Sequence, residues 1–290
     1  MNSLFDPLGI AAPVAIKGKM LLRQMSCHLN NERPGEWDQL LPSEFYPSWM
    51  EWCSSLSALQ EAAVPRCYPT IPLHETSLIE QHIFCDASKL AIAAVCYLRS
   101  VDDAGIVTVF FVFGKAKLAP SHATTMPRLE LCAAVLVVKI AELIRREMVF
   151  PPCSIIYHPD RKVVLGYIRN ETRRFYVYVS NRVEIIRRSS SPEDWRYVPT
   201  HLNPAYCATR SVKATELTTS QWLKGPNFLR DANELVTPEV NDSVEITTED
   251  PEVRPAVKAF ATEKPTKRVV ERTRFVRFSS RPNLVAGWRC

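Results

Sequence analysis

Asp86 sits inside an apolar stretch, Gln81-His82-Ile83-Phe84-Cys85-Asp86-Ala87-Ser88-Lys89-Leu90-Ala91-Ile92-Ala93-Ala94-Val95-Cys96-Tyr97-Leu98. Apolar runs of this length, broken by a short polar turn, read as buried strands. A carboxylate there is costly to bury unless a cation or a hydrogen-bond donor meets it. Glu130 opens an apolar helix and Asp160 closes the short strand Ser154-Ile155-Ile156-Tyr157. Taken singly, Glu130 reads as a carboxylate in a first turn complementing the helix dipole, and Asp160 as an N-cap. Taken together, the carboxylates would repel one another strongly, and they make sense as ligands of hard divalent cations, Mg²⁺ or Mn²⁺. Two such ions roughly 4 Å apart can activate a water and stabilise the leaving oxygen of a phosphodiester.

The elements that must bring these groups together are legible in outline. Ile83–Asp86, Ile92–Leu98 and Val107–Phe113 are predicted strands of a meander, with Val101-Asp102-Asp103-Ala104-Gly105 as a polar turn. Gly114–Pro120 reads as a basic loop carrying Lys115 and Lys117. Thr125 is a candidate cap and Pro127 suits a first turn. The following helix buries one face through Leu129, Cys132, Ala133, Leu136, Val137, Ile140 and Leu143. Residues 154–157 form a fourth strand and Arg161–Ile168 a helix, so Asp160 lies where ligand sites of α/β folds collect. If that strand runs parallel beside the first, Asp86 and Asp160 face each other and the long helix brings Glu130 over them.

Residues 171–188 are predicted as a helix that interleaves Arg173, Arg174, Arg182, Arg187 and Arg188 with Phe175, Tyr176 and Tyr178. That mixture suits a nucleic-acid backbone, although solvated surface charge is its commoner meaning. Trp195–Val198 reads as a last strand, and residues 199–210 as a loop passing into a helix.

The net charge of only +5 permits a nucleic-acid partner without demanding one. Nine Cys without a C-x-x-C pair, several in apolar runs, point to reduced thiols in an intracellular protein, cytoplasmic or nuclear. No segment reaches the roughly 18 apolar residues of a membrane span, and there is no signal-peptide pattern. Residues 1–80 read as a helical module, with a helix from Pro13 and aromatic-rich helices around Trp37 and Trp49; residues 81–226 hold the α/β elements. Residues 227–290 turn acidic and then basic with low hydrophobicity, the signature of a disordered linker.

Several stretches carry a resemblance. Asp86-Ala87-Ser88, Pro127-Arg128-Leu129-Glu130-Leu131, Val163-Val164-Leu165-Gly166-Tyr167-Ile168, Tyr178-Val179-Ser180-Asn181-Arg182-Val183 and Val198-Pro199-Thr200-His201-Leu202-Asn203-Pro204-Ala205 resemble the ribonuclease H region of BEL/Pao-type LTR retrotransposon polyproteins. Phe5-Asp6-Pro7-Leu8-Gly9 and Ala12-Pro13-Val14 resemble the segment joining that family's reverse transcriptase to its ribonuclease H. Phe278-Ser279-Ser280 with Ala286-Gly287-Trp288 resembles the lead-in to its integrase.

The resemblance implies an α/β, ribonuclease H-like mixed sheet flanked by helices, with a helical connection segment over 1–80 after a missing reverse transcriptase. It implies a linker over 227–290 towards a missing integrase, so that both regions of the element are expected partners if present. The implied activity is cleavage of the RNA strand of an RNA–DNA hybrid with two Mg²⁺. Asp86, Glu130 and Asp160 match three of the family's four acidic ligands, and Arg128, His201 and Asn203 join the lysines and arginines as expected nucleic-acid contacts.

Two positions depart from the pattern. Tyr206 stands where the fourth acidic ligand should follow Asn203-Pro204-Ala205, and a phenol with a pKa of about 10 cannot replace a carboxylate at neutral pH. Arg161 follows Asp160 where the family has Ser, and its charge competes with a metal. An active ribonuclease, a catalytically silent nucleic-acid-binding or scaffold module, and a decayed element fragment are therefore the readings to separate.

Overall fold

A computed structural model of the chain describes residues 4–32, 42–64, 78–120, 125–148, 154–231, 246–247 and 249–255. Met1–Arg254 cluster into one compact unit and Pro255–Cys290 into a second, nearly all of which lies outside the described residues. The expected helix at Trp37 and the integrase-like motif from Phe278 also lie outside them.

The first unit runs α1 (Ala12–Glu32), α2 (Tyr46–Ser55), β1 (Leu78–Ala87), β2 (Ala91–Val101), β3 (Val107–Leu118), α3 (Met126–Glu147), β4 (Ser154–Pro159), α4 (Lys162–Arg169), α5 (Val177–Ser189), α6 (Tyr206–Arg210) and α7 (Gln221–Lys224), with short 3₁₀ turns between them. The sheet order is β3-β2-β1-β4. β1 pairs antiparallel with β2, β2 antiparallel with β3, and β1 parallel with β4. This is the expected meander plus a parallel strand, an α/β mixed sheet. Both its faces are covered, which explains why β1 and β2 read as nearly continuous apolar runs.

One face packs under α3, α4 and α5 through Ile83, Cys85, Ala87, Leu131, Val137 and Val179. The other packs Phe84, Val95 and Tyr97 against Val14, Ile16, Ala208 and Trp222, drawn from α1, α6 and α7. The N-terminal segment is seated closely. Gly114 N donates to Leu8 O (2.8 Å), and Trp222 Nε1 donates to Gly9 O (3.0 Å). Gly9 has a φ of 75°, and a side chain on it would strike the Gly114 carbonyl.

Several expectations need correction. Gly114–Leu118 is not a loop: β3 continues to Leu118, with Ala116 buried and Lys115 and Lys117 exposed. Small residues alternating with lysines are strand periodicity with one buried face. The basic aromatic helix begins at Val177, so Arg173 and Arg174 precede it in a loop. Trp195–Val198 is not a full strand; it makes one bridge to Tyr157 and two backbone bonds, Arg196 N to Tyr157 O and Val198 N to Pro159 O. The stretch from residue 227 is partly packed: Phe228 and Leu229 are buried, and so is Glu252. The described cysteines (27, 53, 85, 96, 132, 207) are free thiols. No helix among the described residues is long and apolar enough to cross a membrane.

Candidate metal centre

The register of β1 against β4 places Cys85 opposite Pro159. The next residue on each strand, Asp86 and Asp160, therefore stands beside the other at the strand ends. By the pleat, Asp86 shares the Phe84 face of β1, the face covered by α1 and α6. Glu130 comes from α3, which covers the opposite face. The three carboxylates thus meet at the end of the sheet, where both layers converge. Each offers an oxygen within 4.8 Å of the others, and all three side chains are buried.

Neither single-residue reading survives. α3 begins at Met126 and has no acidic residue in its first turn, so Glu130 lies beyond it. The N-cap of α4 is Arg161, not Asp160.

Burial pushes the Asp86 carboxyl up to about 7, helped by the Asp160 charge and opposed by the Thr209 hydroxyl. Burial, then the charges of Asp160 and Asp86, push Glu130 up to about 9, with Arg161 opposing. Asp160 is also raised, chiefly by burial, against the Thr200 hydroxyl and Arg161. Both Glu130 carboxylate oxygens and Asp160 Oδ1 are buried without a hydrogen-bond partner. Arg161 Nε lies 3.6 Å from Glu130 Oε1, an ion-pair distance rather than a hydrogen bond. Orphaned, mutually repelling carboxylate oxygens aimed at one point are what a hard divalent cation fits.

The segment after residue 202 is built onto this site. Asn203, expected among the nucleic-acid contacts, is instead buried: its Nδ2 donates to Cys85 O (2.8 Å) and its Oδ1 accepts from Ala205 N (3.0 Å). It ties the loop to β1 and aims α6 at the strand end. α6 then presents Thr209, whose hydroxyl donates to Asp86 Oδ2. Tyr206, where the resemblance leads one to expect a fourth acidic residue, is 42% exposed at the start of α6, with the Arg210 guanidinium 5.3 Å from its ring centre. Thr209 carries no signal in the sequence; its role depends on a contact 123 residues away.

The remaining expected contacts are dispersed. Lys115 and Lys117 lie on β3 close enough to Lys139 of α3 for like charge, after burial, to lower Lys117. Lys139, an exposed cation on an apolar helix, belongs to the same basic patch. Arg173 and Arg174 line a groove with Arg254. Arg182 stacks on Tyr178 at 3.4 Å, and His201 is exposed. Arg128 is already paired, Nε to Glu252 Oε1 (2.7 Å) and Nη2 to Oε2 (3.1 Å).

Residues 1–161 match the family described as Pao retrotransposon-like RNaseH-like domain, more than half of the 290-residue chain. The chain belongs to this family. It is a BEL/Pao retrotransposon ribonuclease H-like region, and its mixed sheet is the ribonuclease H-like one. Among solved structures, RNase H1 from the halophilic archaeon Halobacterium salinarum NRC-1 matches at 12% identity and a TM-score of 0.26, over 44% of this chain and 89% of that one. No curated protein matches.

Proposed function

We propose that this BEL/Pao region binds an RNA–DNA hybrid across the sheet end and cleaves its RNA strand with divalent cations held by Asp86, Glu130 and Asp160. The observation that carries the reading is the convergence of three buried carboxylates within 4.8 Å, with three of their oxygens lacking any donor. Mg²⁺ or Mn²⁺ bound there supplies a Lewis acid and an activated water for phosphodiester hydrolysis. The protein's own contribution is positional. Thr209 holds the Asp86 carboxylate, Thr200 opposes protonation of Asp160, and Glu130 keeps both oxygens free for a cation. The Lys115–Lys117–Lys139 patch, Arg174 and His201 supply exposed donors for a phosphate backbone, and the half-buried Arg173 adds another.

A second reading, a silent hybrid-binding module, is favoured by two further observations. The fourth-ligand position is an exposed Tyr206, and Arg161 stands 3.6 Å from Glu130 where cation affinity suffers. The test is incubation of the purified chain with a labelled RNA–DNA hybrid in Mg²⁺ or Mn²⁺, beside an Asp86→Asn control. RNA-strand cleavage that the control lacks supports the first reading. Salt-sensitive binding without cleavage supports the second, and neither binding nor cleavage overturns both.

A further inference from the structure

Glu252 is an acidic residue from a stretch whose composition reads as solvated, yet it is 2% exposed. Its carboxylate meets the Arg128 guanidinium fork to fork, at 2.7 and 3.1 Å. The Thr125 hydroxyl lies 3.5 Å from Oε1. Thr125 is the N-cap residue of α3, but its side chain makes no capping bond to its own helix. The hydroxyl is turned to Glu252 instead, at the positive end of a 22-residue helix. On the far side, Arg128 lies over the Tyr178 ring at 5.0 Å, and Arg182 packs on the same ring at 3.4 Å.

A planar five-donor fork, a hydroxyl and a helix N-terminus recognise a phosphate by the same geometry as a carboxylate. The rest of the strap is held by local contacts, with Glu252 N donating to Asp250 Oδ1 (2.9 Å) and Val253 packed against the core. Tyr167 Oη donates to Asp250, Tyr176 N donates to Glu252 O (3.0 Å), and Arg254 N donates to Arg174 O (2.7 Å). The strap Asp250–Arg254 makes a single β-bridge, Val253 with Phe175. It therefore crosses the loop that carries Arg173 and Arg174, and its anchor occupies Arg128.

We infer that Thr125, Arg128 and Tyr178 form a phosphate subsite for a nucleic-acid backbone, and that Glu252 fills it as an internal stand-in that must lift before that phosphate enters. The inference rests on the hybrid-binding reading above. It makes the strap a competitor of the ligand on the helix that also supplies Glu130.

The test uses the full chain in EDTA with a fluorescent RNA–DNA hybrid, titrated by anisotropy at several salt concentrations. Glu252→Gln binds about fivefold more tightly than the unmodified chain, the gain expected when one charged competitor is removed from one phosphate contact. Its salt slope steepens by about 1. Arg128→Ala in the Glu252→Gln background removes the gain in affinity, because the guanidinium that takes up the phosphate is gone. Hydrogen exchange gives a second readout: saturating hybrid speeds exchange of the strap amides, Arg254 N above all.

Equal binding by Glu252→Gln and the unmodified chain, with strap exchange unchanged by hybrid, overturns the inference and leaves hybrid binding intact. Absence of binding by both proteins overturns the inference and the functional reading together. If Glu252→Gln does not fold, exchange in the unmodified chain decides alone, and unchanged strap protection overturns the inference.

Discussion

Thr209 donates its hydroxyl to the carboxylate of Asp86, joining α6 to the end of β1 across 123 residues of chain. Asp86 is buried beside the Asp160 charge, and this donor, ahead of the Arg210 charge and the Ala87 backbone, is the main protein-supplied stabiliser of the ionised form. Thr209→Val keeps the shape and removes the donor. We expect a loss of roughly 1–2 kcal/mol in urea unfolding at pH 8, where Asp86 is ionised. The loss should shrink at pH 5, where burial keeps Asp86 protonated. A loss of the same size at both pH values would mean that the hydroxyl serves packing alone.

The raised carboxyls give the cation-free protein an unusual pH response. Glu130 is raised from 4.5 to about 9 and Asp86 from 3.8 to about 7, so between those limits the folded state holds more protons than the unfolded chain. The contribution of these two groups is then full below about pH 4 and falls as pH rises through 7 towards 9, on the order of 1 kcal/mol per pH unit for each group. Thermal melts in EDTA from pH 5 to 9 should show a falling midpoint, and Mg²⁺ or Mn²⁺ should restore it at the alkaline end. Asp86→Asn removes one charge from the cluster. Its midpoint at pH 8 in EDTA should exceed that of the unmodified chain and no longer respond to Mn²⁺. A cation response preserved in Asp86→Asn would place the metal elsewhere.

Tyr206 and Arg161 are the two departures within reach of repair. Tyr206→Asp adds a carboxylate at the start of α6, one helical turn before Thr209, and should raise RNA-strand cleavage several-fold in a gel assay. Arg161→Ser removes the guanidinium 3.6 Å from Glu130 and should tighten Mn²⁺ binding by calorimetry. An unchanged cleavage rate and Mn²⁺ affinity in the double variant would leave the silent module as the better account.

Arg173 and Arg174 lie in the loop before α5 and line its groove. Replacing each by Ala should weaken hybrid binding across sequences and reduce the salt slope by about 1 for each phosphate no longer neutralised. Anisotropy titrations that keep both affinity and slope would remove this loop from the interface.

The sheet and its acidic cluster are readable in the sequence because β1 combines a turn-bounded apolar run with one misplaced charge, and because the helix carrying Glu130 has an unbroken apolar period. The end of β3 is disguised, since Lys115 and Lys117 dominate its composition while Gly114 and Ala116 supply only small buried surfaces. Thr209 and Asn203 act through partners far away in sequence; no local pattern marks Thr209, and the motif that marks Asn203 does not disclose its bond to Cys85. Glu252 is hidden for a different reason. Acidic runs are ordinarily solvated, and only the Arg128 fork, contributed by α3, gives this one a place to be buried.

The second face of the sheet is closed from both directions along the chain. Trp222 Nε1 reaches the Gly9 carbonyl across 213 residues, with Gly114 pressed against the indole between them. Contacts of such separation carry a large loop-closure cost and slow folding. During synthesis α1 is available to Phe84, Val95 and Tyr97 from the start, but the indole of Trp222 joins that face only once α7 has left the ribosome. A truncation before Trp222 should therefore yield an aggregation-prone chain even with Asp86, Glu130 and Asp160 still present.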